Sequence, residues 1–516
     1  MGPVVAALLL AAAPPAQDWH ALRSAHFTLR TNLDPDAAMQ AAVEIARTRA
    51  ALVAAVWPPV REVGIEPVDI IVFRDRAEFE HYAGDGSRGL YSHSALPPRI
   101  VLWGSPERWE QRLGPEETMP PANPRRPASV GQDELSVHLQ YVQAGSASVL
   151  RHELAHHVAS AVYPRLPLWF SEGQAQFLES LKLSEDGRKA TLGAINPNAW
   201  REYRRIRSVD LRDVLRWTTP LTGLSQSESM GLYGASWQLY QWLFTTHPAS
   251  LRCLQEQLAA RVPIADGWAR CFPDIIADQL GQALWEFSRN GTPGLSEISV
   301  PPLGLEVTMR PLSEAELHLL RAQVALAAPR REDLLQEAAT ELNRALALDP
   351  ASVGVLQLLA PLVSPQRRLE DAHRAVLAHP EDGWAWLLLA DALWDTAGSA
   401  AERERAYRRA AELLPDSPLV LARSARNLLS RDERAEALVL AERAAQLAPW
   451  NGEVLAIDAL ALAAAGRCTE GLGVAQQARV LLPAGASGLS RALEVGLARA
   501  CPSQGGPDGG VATGQR

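Results

Sequence analysis

The residues His152-Glu153-Leu154-Ala155-His156 form an HExxH pattern inside an apolar stretch, SASVLRHELAHHVASAV. On a helix the i, i+4 spacing puts both imidazoles on one face, about one turn apart, where both can reach one metal ion. Glu153 lies beside that face and can take a proton from a water activated there. Neutral imidazoles suit Zn²⁺, and a site with three protein ligands keeps a fourth position open for water. Zinc brings the pKa of such a water to about 7, so a nearby carboxylate can accept its proton. The third ligand should be a carboxylate or imidazole on a neighbouring element. Glu172, in Leu168-Trp169-Phe170-Ser171-Glu172-Gly173, is the obvious candidate. Glu179, two helical turns further on, can orient a ligand from behind or be a solvated helix charge.

These residues need a scaffold. SASVLRHELAHHVASAV has apolar residues at helical spacing and a serine suited to capping its start. The break YPRLP folds the chain back into a second helix, WFSEGQAQFLES, which Glu172 is expected to open. A glutamate there is also a good partner for the helix dipole, which is its purely structural reading. Gly173 lets the start of that helix pack closely. Upstream, AHFTLRTN alternates like a strand, DPDAAMQAAVEIARTRAALVAAV reads as an amphipathic helix, and DIIVF (69–73) reads as a buried strand. RDRAEFEHYAG (helix) and PRIVLWG (strand) follow, then a loop over about 105–133 rich in Pro and charge. ELSVHLQYV reads as a further strand. It carries His138, a residue expected to be structural, on an edge that can pair with an extended substrate. The opening region is therefore expected to be α+β with a small sheet, and the chain turns helical from Ser146 to about residue 290.

Beyond about residue 310 the chain repeats. Pro350, Pro380, Pro415, Pro449 and Pro483 each close an Ala-rich apolar helix, at spacings of 30, 35, 34 and 34. A period near 34 with two helices per unit is the signature of tetratricopeptide repeats (TPR), in an all-α solenoid of about four to five units. Ala338, Ala345, Ala410, Ala425, Ala437 and Ala444 occupy the small positions where paired helices approach, and Tyr407 precedes Pro415. Such a solenoid either caps the enzyme domain or offers a concave face to a peptide or partner protein.

The segment HELAHHVASAVYPRLPLWFSEGQAQFLES resembles the zinc site of the gluzincin metallopeptidases, particularly the bacterial peptidase-MA-like proteins. The likeness rests on HExxH followed by P-x-W-x-x-E-G-x-A, here Pro167, Trp169, Glu172, Gly173 and Ala175. WHALRSAHFTLRTN and LYGASWQLYQWL extend it over about residues 20–290, specifically only near the motif. The resemblance implies a zincin-like fold, one zinc ion held by His152, His156 and Glu172, and Glu153 as general base and later proton donor. It also implies Tyr233 as a second donor to the oxyanion, with Tyr240 a weaker candidate. His157, on another face, is expected to pack or be solvated. Two departures stand out. Only fifteen residues separate His156 from Glu172, fewer than in thermolysin-like and aminopeptidase-type gluzincins, and no GxMEN-like segment precedes the motif. An aminopeptidase gripping a free N-terminus is thus unsupported, and the absence of HExxHxxGxxH excludes a metzincin.

Composition bounds the rest. The 516 residues, 47% hydrophobic and 21% charged with net charge −9, describe a globular chain. They carry no basic block to bind nucleic acid. No apolar run reaches the roughly 18 residues of a membrane span. MGPVVAALLLAAAPPAQDW looks like an export signal cleaved near Ala16, without the following Cys of a lipoprotein. Four cysteines, none in a CxxC pair, suggest Cys253–Cys271 and Cys468–Cys501 disulfides and an oxidising compartment. The expected organisation is a signal (1–16), an α+β subregion (17–135), a helical catalytic subregion (136–300), TPR-like repeats (311–500) and a flexible tail (502–516). The leading expectation is an exported zinc endopeptidase acting on peptide or protein substrates, periplasmic or extracellular. The alternative is a catalytically inactive, peptidase-like TPR scaffold. A metal-dependent hydrolase of non-peptide substrates is a weaker third reading.

Overall fold

The computed structural model describes residues 19–56, 65, 67–84, 89–92, 98–111, 147–163, 166–205, 214–215, 226–260, 262–328, 332–396, 398–482 and 487–501. The signal segment, the tail, most of the 105–133 loop, the strand expected over 134–142 with His138, and Pro483 lie outside these residues.

The first part of the chain is mixed α and β. Strands β1 (His20–Arg23) and β2 (Phe27–Thr31) lead into helix α1 (Pro35–Ala55) and strand β3 (Val68–Phe73). Asp34 caps α1, its carboxylate accepting the Ala37 N–H, with Pro35 opening the helix. Next come α2 (Arg76–Ala83), β4 (Leu90–Ser92), β5 (Arg99–Trp103), the single turn α3 (Pro106–Trp109) and β6 (Glu110–Gln111). Strand β7 (Ala147–Ser148) runs directly into α4 (Val149–Ser160), and α5 (Leu168–Glu179) follows. Then come β8 (Lys182–Leu183), β9 (Lys189–Leu192), α6 (Pro197–Arg205), α7 (Gln226–Thr246), α8 (Pro248–Ala259), α9 (Ile264–Cys271) and α10 (Ala277–Asn290). Strands β10 (Ser296–Ser299) and β11 (Thr308–Pro311) bring the chain back to the sheets.

The main sheet has six strands in the order β11-β1-β2-β3-β5-β4. Its centre is parallel, β2 to β3 to β5, and its flanks are antiparallel. The parallel β2–β3 step needs a crossover, which α1 provides. A three-stranded sheet, β10-β9-β8, and the β6-β7 pair complete the region.

All six residues of β3 are buried, because the sheet is covered on both faces. Val68, Ile70 and Val72 join the core shared with α1, α4 and α5, whereas Ile71 and Phe73 join a second core on the opposite face. Asp69 is buried there too, and its charge is met by Arg30 and by Arg99, whose Nε lies 2.9 Å from the carboxylate. Arg99 also donates to the Gln323 side chain at 3.1 Å. That contact ties the sheet to the first helix of the C-terminal region.

The C-terminal region is all helix: α11 (Glu314–Ala327), α12 (Glu332–Leu348), α13 (Val353–Leu359), α14 (Pro365–Ala378), α15 (Gly383–Asp395), α16 (Ala400–Leu413), α17 (Pro418–Leu429), α18 (Arg434–Leu447), α19 (Gly452–Ala464), α20 (Cys468–Leu481) and α21 (Ser487–Ala500). Consecutive helices pack in pairs, and the pairs stack in a repeat-like array consistent with a solenoid. Ala338, Ala345, Ala410, Ala425, Ala437 and Ala444 are at most 1% exposed, so these small residues do sit where helices meet. The second pair is degenerate: α13 stops after seven residues in a 3-10 turn at Pro361. Cys253–Cys271 joins α8 to α9, and Cys468–Cys501 ties the start of α20 to the residue after α21, the two pairings expected from sequence. Among the described residues, no helix is long and apolar enough to cross a membrane.

Candidate metal centre

Helix α4 is the floor of the site. The Ser148 hydroxyl accepts the Arg151 N–H at its start, and Val149, Leu150, Leu154 and Val158 bury its apolar side. His152 and His156 are left on one face, as their spacing requires, with Nε2 atoms 3.1 Å apart. Helix α5 packs beside α4 and brings Glu172 to the same point. Its Oε2 lies 3.5 Å from His152 Nε2 and 3.6 Å from His156 Nε2. Glu172 stands in the second turn of α5 and does not open it, so an N-terminal dipole does not explain its presence. Gly173 explains how α5 gets so near α7. A methyl group there would lie 2.6 Å from the Ser236 carbonyl oxygen.

The three ligand atoms suit zinc. Ligands set tetrahedrally about an ion at about 2.0–2.1 Å stand about 3.3–3.4 Å from one another. The edges of this triangle, 3.1, 3.5 and 3.6 Å, bracket that value. Two imidazoles and a carboxylate are also a donor set that zinc accepts. His152, His156 and Glu172 are the one group among the described residues with three such atoms within 4.8 Å of each other.

Each imidazole is held from behind. His152 Nδ1 lies 2.7 Å from Glu179 Oε1, and His156 Nδ1 lies 3.1 Å from the Ser171 hydroxyl. Both bonds direct Nε2 toward the triangle. Glu179 is itself anchored: Asn196 Nδ2 donates to its Oε2 at 2.9 Å, and Arg151 Nε donates to its carbonyl at 2.6 Å. Glu179 is 2% exposed, which settles its sequence ambiguity against a solvated charge. Ser171, Asn196 and Arg151 carried no sequence signal for this part.

Electrostatics follow from crowding carboxylates around histidines. Burial pulls the His152 pKa down, but the bonds to Glu172 and Glu179 and the charges of Glu179 and Glu153 outweigh it, and the net shift is well upward. Burial raises Glu172, yet the His156 charge and the bonds to His152 and His156 hold it far below the ordinary carboxylate range. Glu153 is raised, chiefly by burial, with the nearby histidines opposing.

Glu153 and His152 open on a cleft of about 410 Å³, which Tyr233 of α7 also lines. Burial, then the Glu172 and Glu153 charges, raise the Tyr233 pKa and keep its phenol protonated. Tyr240 is elsewhere: it is buried among Phe170 and Phe177, and its hydroxyl accepts from Gln174 at 3.2 Å and Gln255 at 3.1 Å. His157 is buried and packs edge-on against Tyr91 of β4, while the same tyrosine ring lies parallel to His156. Gly89, just before β4, allows Glu153 its place. A methyl group there would lie 2.9 Å from Glu153 Oε1 and 2.8 Å from Val149 Cγ2.

Residues 146–265 match the profile of a family described as "Protein of unknown function (DUF1570)". No curated protein sequence matches the chain. Among solved structures, a thermophilic TPR protein from Thermus thermophilus is similar at 19% identity, with 36% of this chain and 98% of that chain covered and a TM-score of 0.29. The crystal structure of the MamA protein is similar at 15% identity, with 33% of this chain and 91% of that chain covered and a TM-score of 0.24.

Proposed function

We propose that the chain is a zinc-dependent peptidase of gluzincin type, with a TPR-like array that binds substrate or a partner protein. The observation that carries this reading is the His152–His156–Glu172 triangle with Glu153 next to it on the same cleft. Three protein ligands and an open fourth position are the pattern of catalytic zinc sites. Zinc held there supplies Lewis-acid chemistry, acidifying a water and polarising the scissile carbonyl. Glu153 accepts the proton of the attacking water on a carboxylate oxygen and returns it to the departing amine. Burial raises its pKa, which makes its ionised carboxylate the stronger base. Tyr233, kept protonated, donates its O–H to the oxyanion. Glu179 and Ser171 hold the two imidazoles in orientation. The protein works outside the cytosol, a reading supported by two disulfides and no free cysteine among the described residues.

The second reading is a binding protein: a metal-holding, peptidase-like region that does not turn over, joined to a partner-binding helical array. It is favoured by residues 314–500, an extended set of stacked helix pairs without a metal-ligand cluster among the described residues. One comparison separates the two. The full chain is loaded with zinc, and wild type and Glu153→Gln are incubated with reduced, unfolded casein. The peptidase reading predicts cleavage by wild type and at least a hundredfold loss in the variant with one zinc retained. Equal rates sink the role of Glu153. One bound zinc per chain with no cleavage at all leaves the binding-protein reading standing.

A further inference from the structure

We propose that the cleft beside His152 is a subsite for a basic side chain of the substrate, arginine or lysine. This rests on the peptidase reading and names the substrate class it would prefer. The cleft has room for a long side chain, about 410 Å³. Ala199 and Met230 give its wall apolar surface, which suits the aliphatic stem of such a residue. No Lys or Arg lines it among the described residues, whereas Glu202 brings a carboxylate one helical turn beyond Asn198.

The hydrogen-bond inventory of the wall points the same way. Asn196 has spent its donors: Nδ2 serves the Gln176 carbonyl at 2.8 Å and Glu179 Oε2 at 2.9 Å. Its Oδ1 is occupied by the N–H groups of Asn198 and Ala199. Gln176 lines the cleft, is only 7% exposed, and its Oε1 has no hydrogen-bond partner. A buried acceptor without a donor is costly, and a guanidinium or ammonium group brings donors only. A substrate carboxylate would bring acceptors to a wall whose Asn196 donors are already committed and would face Glu202. A basic side chain instead meets the unpartnered Gln176 Oε1 and the Glu202 carboxylate.

The test uses the full-length, zinc-loaded Glu153→Gln protein, so that binding is read without turnover. Capped hexa-alanine peptides carrying arginine, norleucine or glutamate at each position in turn are titrated by calorimetry. At one position arginine should bind about tenfold tighter than norleucine, and glutamate more weakly than norleucine. Adding Gln176→Leu or Glu202→Gln should cut the arginine advantage at least threefold and leave norleucine affinity unchanged. Glu202 is half-exposed, so its substitution keeps the test valid if the Gln176 variant folds poorly. Equal affinity for the three peptides, absence of binding, or an arginine advantage indifferent to Glu202→Gln and to a folded Gln176→Leu overturns the subsite. Wild-type cleavage of casein is scored separately. Cleavage without basic preference removes the subsite alone, and basic preference without cleavage removes the peptidase reading alone.

Discussion

Gly173→Ala should loosen the metal centre from a residue that touches no ligand atom. The added methyl group would lie 2.6 Å from the Ser236 carbonyl oxygen and 3.4 Å from Tyr240 Cβ. An ordinary contact needs about 3.4 Å, so α5 and α7 must separate by roughly 0.8 Å at this point. The obstacle is backbone, which cannot rotate away. Glu172 is the adjacent residue and moves with α5, whereas a zinc ligand tolerates only about 0.2 Å of misplacement. The expected result is at least a tenfold loss of zinc affinity, measured by competition with a chelating dye, and about 1–3 kcal/mol lost stability from overpacking. Gly473→Ala is the control: it also lies in a helix, nothing stands within 4 Å of the new methyl group, and stability should rise by about 0.5–1 kcal/mol. Unchanged zinc affinity in a folded Gly173→Ala protein would refute the claim that this crossing sets the position of Glu172.

Gly89→Ala should act on the base and spare the ligands: its methyl group crowds Glu153 Oε1 and Val149, so casein cleavage should fall at least tenfold while bound zinc stays at one per chain. Glu179→Gln should weaken zinc binding about 10–100-fold in the same dye competition, because the charge that orients His152 is gone. Zinc affinity should rise with pH. The His152 pKa is raised in the metal-free protein, so its proton competes with the metal at neutral pH and disappears only above that raised value. Calorimetry in buffers of different ionisation enthalpy should therefore show proton release on zinc binding near neutral pH that diminishes as the pH rises.

The readable parts of the site were those set by local periodicity. The i, i+4 histidines needed only a helix, and Val149–Ser160 is one. Glu172 was readable because the Pro-rich break leaves few ways to continue except beside the first helix. Its exact station in α5 was not, since helix starts depend on which N–H groups find partners, and α5 begins at Leu168 without a side-chain cap. What could not be read came from far along the chain. Gly89, Tyr91 and Asn196 reach the site through the sheet edge and the start of α6. Strands β1, β9, β10 and β11 are four residues each, too short to show alternation, so the β8–β9 pair corrects the all-helical course expected from Ser146 to about residue 290, and the pairing of β1 with β11 spans almost three hundred residues. The unit broken at Pro361 is the one whose prolines, Pro350 and Pro380, stand only 30 residues apart.

Every functional step above depends on His152, His156 and Glu172 holding one metal ion together. The direct measurement is X-ray diffraction from crystals of the zinc-loaded protein, collected on both sides of the zinc absorption edge. It should give one anomalous peak about 2.0–2.2 Å from His152 Nε2, His156 Nε2 and a Glu172 carboxylate oxygen. A peak lacking Glu172 among its neighbours, a peak elsewhere, or no peak from fully zinc-equilibrated crystals would contradict it.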